Sequence, residues 1–290
     1  MVIGNSYSTL RDGPWTLWVC SEYWSGPLWD AVRERIAQQT AAKHPQTELL
    51  ETGGAAQSFY LKTFYPSTTG GMLKDRFRLS KARRAQRVGV ELAAAGFNVP
   101  LAIAAGERRT RRLLECAFLV TVPVAGVSLI QTLQQNLRRS KPTVSRADKW
   151  TGLEQLAREI RRFHDLGFVH GDLVATNVFI GPAEDRRWQF YFMDNDRTRR
   201  YPQSLPQSQW KRNLVQLNRM PLPGISLQDR MRFLRAYLDT ELSSKQGAAL
   251  ARWLEEKTRQ RRWECDRVMD ESFRSLMRWK NSLDQEVKRA

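Results

Sequence analysis

The chain of 290 residues is 41% hydrophobic and 10% aromatic, enough for one large domain or two lobes with buried cores, which excludes a disordered tail. Lys and Arg total 47 against 30 Asp and Glu, and the net charge of +17 implies anionic company: nucleic acid, an acidic membrane face or a phosphorylated substrate. Three cysteines (Cys20, Cys116, Cys265) cannot all pair and lack metal-ligand spacing, which excludes a disulfide scaffold or cysteine zinc site and fits a reducing compartment.

Met1 to Tyr7 shows neither a basic leader nor an apolar core, so no secretory signal is expected. Four of the ten tryptophans (Trp15, Trp18, Trp24, Trp29) crowd the first thirty residues, and the pattern leaves open whether they cover a small lobe or touch lipid. Thr47–Glu51 predicts a short strand, Thr52–Ala55 a turn, and Gln57–Tyr65 a second strand rich in Phe and Tyr. Between Leu79 and Ala95, apolar residues at 82, 85, 88, 92 and 95 predict an amphipathic helix stopped by Gly96 and Pro100. Strands are expected at Leu101–Ala104 and Leu113–Val122, joined by the basic turn Arg108–Arg112. The weakly charged run Leu113–Ile130 holds Glu115, Pro123 and Gly126 and is rejected as a membrane span.

Beyond Pro123 the character turns helical. Leu153, Leu156, Ile160 and Phe163 predict a helix ending at Gly167, Leu227–Leu238 predicts another, and the arginine-rich stretch Gln246–Ala290 more. Asn177–Ile180 and Trp188–Met193 predict short strands around the polar turn Gly181–Asp185. The expected fold is α+β in two lobes with a cleft between them. Residues 1–121 form a small β-rich N-lobe with one main helix, and residues 122–290 a larger helical C-lobe.

The segment richest in chemistry is Phe168–Asn177, followed by Phe192-Met193-Asp194. Asp172 and Asn177 lie five apart on a loop and Asp194 ends the next apolar strand, so an acid, an amide and a second acid can converge on one point. Phosphoryl transfer needs such convergence. One carboxylate orients the attacking hydroxyl and accepts its proton, while an amide oxygen and a second carboxylate hold the magnesium that bridges the phosphates. An Asp–Asn pair capping its own turn is the plainer alternative. At these residues the sequence resembles the kinase-like phosphotransferases, whose catalytic loop reads His-x-Asp-x-x-x-x-Asn with a metal-binding Asp in the next hairpin. Lys62 lies among Phe59, Tyr60, Leu61, Phe64 and Tyr65, where an unpaired ammonium is costly. Glu91 projects close to the apolar face of its helix. The two are expected to pair, and the kinase-like resemblance implies that the pair aims Lys62 at the α- and β-phosphates of ATP. A snorkelling lysine and a partly exposed glutamate are the alternatives.

Four stretches resemble the bacterial lipopolysaccharide kinases, the family of Kdo and heptose kinases: Phe59–Pro66, Lys81–Pro100, His170–Asn177 and Met193–Arg197. By that resemblance Asp172 is implied as the catalytic acid/base, Asn177 and Asp194 as magnesium ligands, Lys62 as the phosphate-binding lysine and Glu91 as its partner. Thr121–Gly126 is expected at the hinge, with backbone groups around Val122 and Val124 reading adenine. His170 is expected to brace the loop, Asp196 to support the metal aspartate, and Arg197 with Arg199 to hold acceptor phosphates or carboxylates. His164 reads as a packing histidine; His44 has no assigned role. Gly171 stands where regulated protein kinases carry arginine, Asn195-Asp196 replaces Phe-Gly, and no Ala-Pro-Glu follows, so no phosphorylation-switched activation loop is expected. Gly53-Gly54 lies too close to Lys62 for a phosphate loop, and the phosphate-covering stretch is placed around Gln38–His44.

Arg83, Arg84 and Arg87, with the basic turn, lie in the presumed small lobe, while Arg259, Arg261, Arg262, Arg267, Arg274 and Arg278 interleave with Trp253, Trp263 and Trp279. They read either as a wet helix face or as a surface docking on an anionic leaflet. The implied function is an ATP- and Mg2+-dependent kinase for a Kdo or heptose hydroxyl of the lipopolysaccharide inner core. Its implied partners are ATP and a lipid A–Kdo/heptose precursor, with no nucleic acid. The expected location is the cytoplasm, peripheral on the inner membrane. A phosphotransferase for another small molecule or a protein is one alternative, and a non-catalytic basic adaptor is the other.

Overall fold

Alternating burial along successive segments gives strands with one strongly apolar face. In the computed structural model, which describes residues 6–39, 46–51, 58–66, 78–138, 145–182, 187–220, 222, 224–239 and 244–266, six of them pair into one antiparallel sheet. They are β1 (Tyr7–Asp12), β2 (Trp15–Cys20), β3 (Thr47–Glu51), β4 (Ser58–Phe64), β5 (Ala102–Thr110) and β6 (Leu113–Thr121), in the spatial order β1-β2-β5-β6-β4-β3. The sheet belongs to the first of two units, residues 1–125 with 191–198; residues 126–190 and 199–290 form the second.

One face of the sheet is covered by α1 (Gly26–Gln39), whose Leu28, Trp29, Val32 and Ile36 pack with Trp15, Leu17, Leu61 and Phe118. The Trp15, Trp29 and Phe118 rings lie 5.5 to 5.7 Å apart, and the Trp29 indole N–H donates to Asp12 at 2.6 Å. The tryptophan-rich start therefore covers the sheet, the question its sequence left open. The opposite face receives α2 (Lys81–Ala94) through Ala82, packed with Phe64, Ala105, Leu114 and Ala117. Ser80 caps this helix by accepting the Arg83 N–H. Its exit is a Schellman turn: Gly96 at φ 78° donates to the Ala93 carbonyl and Phe97 N–H reaches Leu92.

The exit from α2 also anchors the returning segment 191–198. Phe192 N–H donates to the Asn98 carbonyl at 3.0 Å, and the Phe97 and Phe192 rings meet edge to face. Two expectations shift here. Arg108–Thr110 are strand residues, and the basic turn shrinks to Arg111-Arg112, both at positive φ. Gln38 and Gln39 end α1, while 40–45 and the Gly53-Gly54 turn lie outside the described residues.

The second unit is mainly helical: α3 (Leu129–Arg138), α4 (Arg146–Asp165), α5 (Gln207–Arg219), α6 (Leu227–Leu238) and α7 (Ser244–Asp266). Its short strands are β7 (Val127–Ser128), β8 (Phe168–Val169), β9 (Val178–Gly181) and β11 (Arg199–Arg200), while β10 (Gln189–Phe192) carries the chain back to the first unit. Ser226 and Asp229 form a capping box at the start of α6. The same Asp229 carboxylate accepts from Lys149 at 2.9 Å and the Trp150 indole at 2.8 Å, fastening α6 to α4. Leucines of α3 to α7 line an open apolar cavity of about 720 Å³. The stretch 267–290 lies outside the described residues, and among those described no helix is long and apolar enough to cross a membrane. The α+β expectation holds.

A Cβ at Gly106 on β5 would stand 2.1 Å from the buried Phe118 ring and 2.9 Å from Leu17. Gly106→Ala is expected to destabilise the protein by about 1–3 kcal/mol through overpacking, read as a lower denaturant midpoint with an unchanged slope.

Candidate active site

The expected site residues form two groups, one in each unit. In the first, the pleat of β4 turns Phe59 and Leu61 to the tryptophan core and leaves Lys62 on the face that carries Phe64. Lys62 is 28% exposed, so its ammonium needs a counter-ion, and it lies 2.6 Å from Asp194 Oδ1 and 5.3 Å from the Phe64 ring centre. Asp194 reaches that position through left-handed backbone, φ 56° and ψ 57°, a conformation costing roughly 1–2 kcal/mol outside glycine. The bend opens a 3₁₀ turn, Asn195–Arg197, packed on α2. Asn195 holds the turn: its amide donates to the Phe192 carbonyl at 2.8 Å and accepts from the Thr198 hydroxyl at 3.1 Å.

This corrects the expected Lys62–Glu91 pair. Glu91 is half-buried on α2, whereas Lys62 bonds Asp194, because the turn packed on α2 brings a carboxylate directly to the ammonium. Asp196, also half-buried, has its pKa raised by burial and then by the Asp194 charge, against the pull of Lys62, Lys81 and Arg197. Arg197 is exposed. Val122 donates its N–H to the Leu101 carbonyl at 2.9 Å, and both Val122 and Val124 are half-buried.

The second group is the loop His170–Asn177. His170 is fully buried and its Nδ1 accepts the Asp172 N–H at 3.2 Å. The Asn177 NH2 donates to the Asp172 carbonyl at 3.0 Å, which leaves the Asn177 oxygen as the acceptor end of that side chain. The Asp172 carboxylate is half-buried and has no ion pair among the described residues. The apolar cavity of this unit is lined by none of the expected site residues.

Helix α5 braces this loop. Asn213 donates to the His170 carbonyl at 2.6 Å and to Gln216 at 2.9 Å, and its oxygen accepts the His170 N–H at 3.1 Å and faces His164 Nε2 at 3.1 Å. Its amide thus uses two donors and two acceptors. Gln216 in turn donates to the Gly171 carbonyl at 3.1 Å. The other His164 nitrogen meets the Tyr237 hydroxyl of α6 at 2.8 Å. Burial lowers the His164 pKa to about 4 and raises that of Tyr237, so His164 is a neutral, fully partnered core histidine. Sequence reading missed Asn213 and Gln216. The available signal was a pair of amides three residues apart among Leu214, Val215 and Leu217.

A sheet unit bearing a lysine–aspartate ion pair and a helical unit bearing a braced Asp-x-x-x-x-Asn loop have the character of a kinase-like phosphotransferase. Among solved structures, a complex described as WaaP with acyl carrier protein is 21% identical over 82% of this chain and 97% of that one, with a TM-score of 0.58, a likeness of fold. The kinase domain of Mycobacterium tuberculosis PknI is 14% identical over 72% of this chain and 91% of that one, with a TM-score of 0.38. No curated protein matches significantly. The model of the lipopolysaccharide kinase (Kdo/WaaP) family matches residues 31–237, and the chain belongs to that family.

A histidine with a folded pKa near 4 against about 6.5 unfolded makes stability fall as pH drops from 6.5 toward 4, because only the unfolded chain takes up the proton. The full loss is about 3 kcal/mol. His164→Gln is expected to flatten that slope in urea titrations across this range; an unchanged slope would contradict the assignment.

Proposed function

We propose that this chain is an ATP- and Mg2+-dependent kinase that phosphorylates a Kdo or heptose hydroxyl in the inner core of lipopolysaccharide. Family membership supports the reaction class. The observation that carries the residue assignment is the 2.6 Å Lys62–Asp194 pair, a cation and a carboxylate held together beside the polar turn 195–197.

In this reading Lys62 grips the donor phosphates, and Asp172 orients the acceptor hydroxyl and takes its proton. The left-handed bend at Asp194 is strain kept for function, since it aims this carboxylate. Asn177 and Asp194 would hold magnesium. Among the described residues no group of three or more His, Cys, Asp or Glu forms a metal cage, which suits an ion that takes one or two protein ligands and completes its shell with phosphates and water. Bound there, magnesium would neutralise charge on the transferring phosphates. The Val122 N–H is committed to Leu101, so adenine is read by the Val124 amide and neighbouring carbonyls. Asp196 supports the metal aspartate and Arg197 meets acceptor anions. The net charge of +17 supports peripheral contact with the anionic cytoplasmic leaflet.

Asp172→Asn is expected to keep magnesium-dependent ATP binding and lower transfer by about 10²–10⁴-fold, measured with labelled ATP and purified lipid A–Kdo and heptosylated precursors. Comparable turnover by the variant would remove Asp172 as the base. Transfer to a soluble sugar or a protein in preference to these precursors would move the acceptor assignment. Absence of any magnesium–ATP thermal shift would favour a non-catalytic adaptor.

A further inference from the structure

A concavity of about 370 Å³ lies between α5 and α7 in the second unit, and its walls include Arg212, Gln216, Trp253, Lys257, Gln260 and Arg261. Three of its side chains are cationic and none is a carboxylate. Its frame is fixed. Arg262 donates from α7 to the Asn218 and Arg219 carbonyls at 2.7 Å each, and Asn218 bonds the buried Thr258 hydroxyl at 3.2 Å. Three like charges converging on one hollow repel one another, and an anion relieves that repulsion. The third feature is position. Gln216 forms part of the wall, and its amide donates to the carbonyl of Gly171, the residue before Asp172. The hollow therefore borders the catalytic loop across a single side chain.

We propose that this hollow binds a phosphate or carboxylate carried by the acceptor sugar and so helps decide which hydroxyl is presented to Asp172. The inference deepens the kinase reading and rests on it. The Arg212 guanidinium offers a planar fork for a two-oxygen anion, and Lys257, which donates to Gln260 at 3.1 Å, adds a point charge. The Lys211 ammonium lies 5.1 Å from the Trp253 ring centre and adds positive charge at the same wall, and Gln260, whose oxygen accepts from Lys257, has an NH2 that can donate to a sugar hydroxyl. A phosphate of a membrane lipid headgroup shares this chemistry, so the experiment separates the two sources.

The full chain, loaded with Mg-ADP to fill the nucleotide site, is titrated with inorganic phosphate, and its melting temperature is expected to rise in a salt-sensitive way. Arg212→Ala/Lys257→Ala is expected to lose that rise and to increase KM for the lipopolysaccharide precursor about ten- to hundredfold, with kcat and the KM for ATP nearly unchanged. Arg87→Ala/Arg158→Ala, which removes two exposed arginines on α2 and α4, serves as the charge-matched control and should leave both readouts alone. A phosphate response equal in all three proteins overturns the proposal. So does a double variant that releases phosphatidylglycerol vesicles while keeping its acceptor KM, which would make the hollow a lipid contact. If no lipopolysaccharide precursor is phosphorylated, yet the phosphate response is present and lost in the double variant, the anion site stands and the acceptor reading fails.

Discussion

An ammonium set in an apolar strand must find an anion, and much of the first unit follows from how Lys62 finds one. Its side-chain stem lies on the face of β4 shared with Phe64, where an unpaired charge would be expensive. The anion arrives from more than a hundred residues along the chain, at Asp194. Delivering it requires a left-handed residue, a short 3₁₀ turn knotted by Asn195 and Thr198, and a helix of small residues for that turn to lie against. None of these is stable by itself. Together they exchange backbone strain for an ion pair and helix packing, and they leave carboxylates clustered beside a cation.

In the second unit the organising group is an amide. Asn213 is buried on its helix together with Leu214, Val215, Gln216 and Leu217, a place where an unsatisfied side chain would cost about 1–3 kcal/mol. It is tolerated because each of its hydrogen-bonding positions is answered, three of the four by the backbone of His170 and a side chain of its own helix, and the last by His164. An aspartate there could not donate to the His170 carbonyl, and a leucine would strand the backbone of that residue. The polarity of α5, α4 and α6 at this point thus serves to fix a loop whose own sequence has little regular structure.

Local periodicity was readable and long-range partnership was not. The helix at Leu227–Leu238 begins where Ser226 promises a cap, and β3 occupies its predicted residues, because caps and alternation act within a few positions. The first hairpin was missed for a physical reason: Trp15, Leu17 and Val19 face one core while Trp18 faces the other beneath Arg83, so the strand is apolar on both sides and its period of two is hidden. The Lys62 counter-ion was misread because helical spacing can nominate Glu91 but says nothing of a turn arriving from residue 195. The segment His170–Asn177 stood out in the sequence as a motif, whereas its brace was only two amides in a hydrophobic helix.

The chain passes between its two units three times, at 125/126, 190/191 and 198/199, and the short excursion 191–198 is what assigns Asp194 to the body that holds Lys62. Those two groups therefore share one unit, and contacts inside that unit hold them together. The loop of Asp172, fastened to α5, belongs to the second unit. The spacing of the Lys62 ammonium and the Asp194 carboxylate is thus an internal dimension of one unit, set by a strand, a turn and a helix that contact one another.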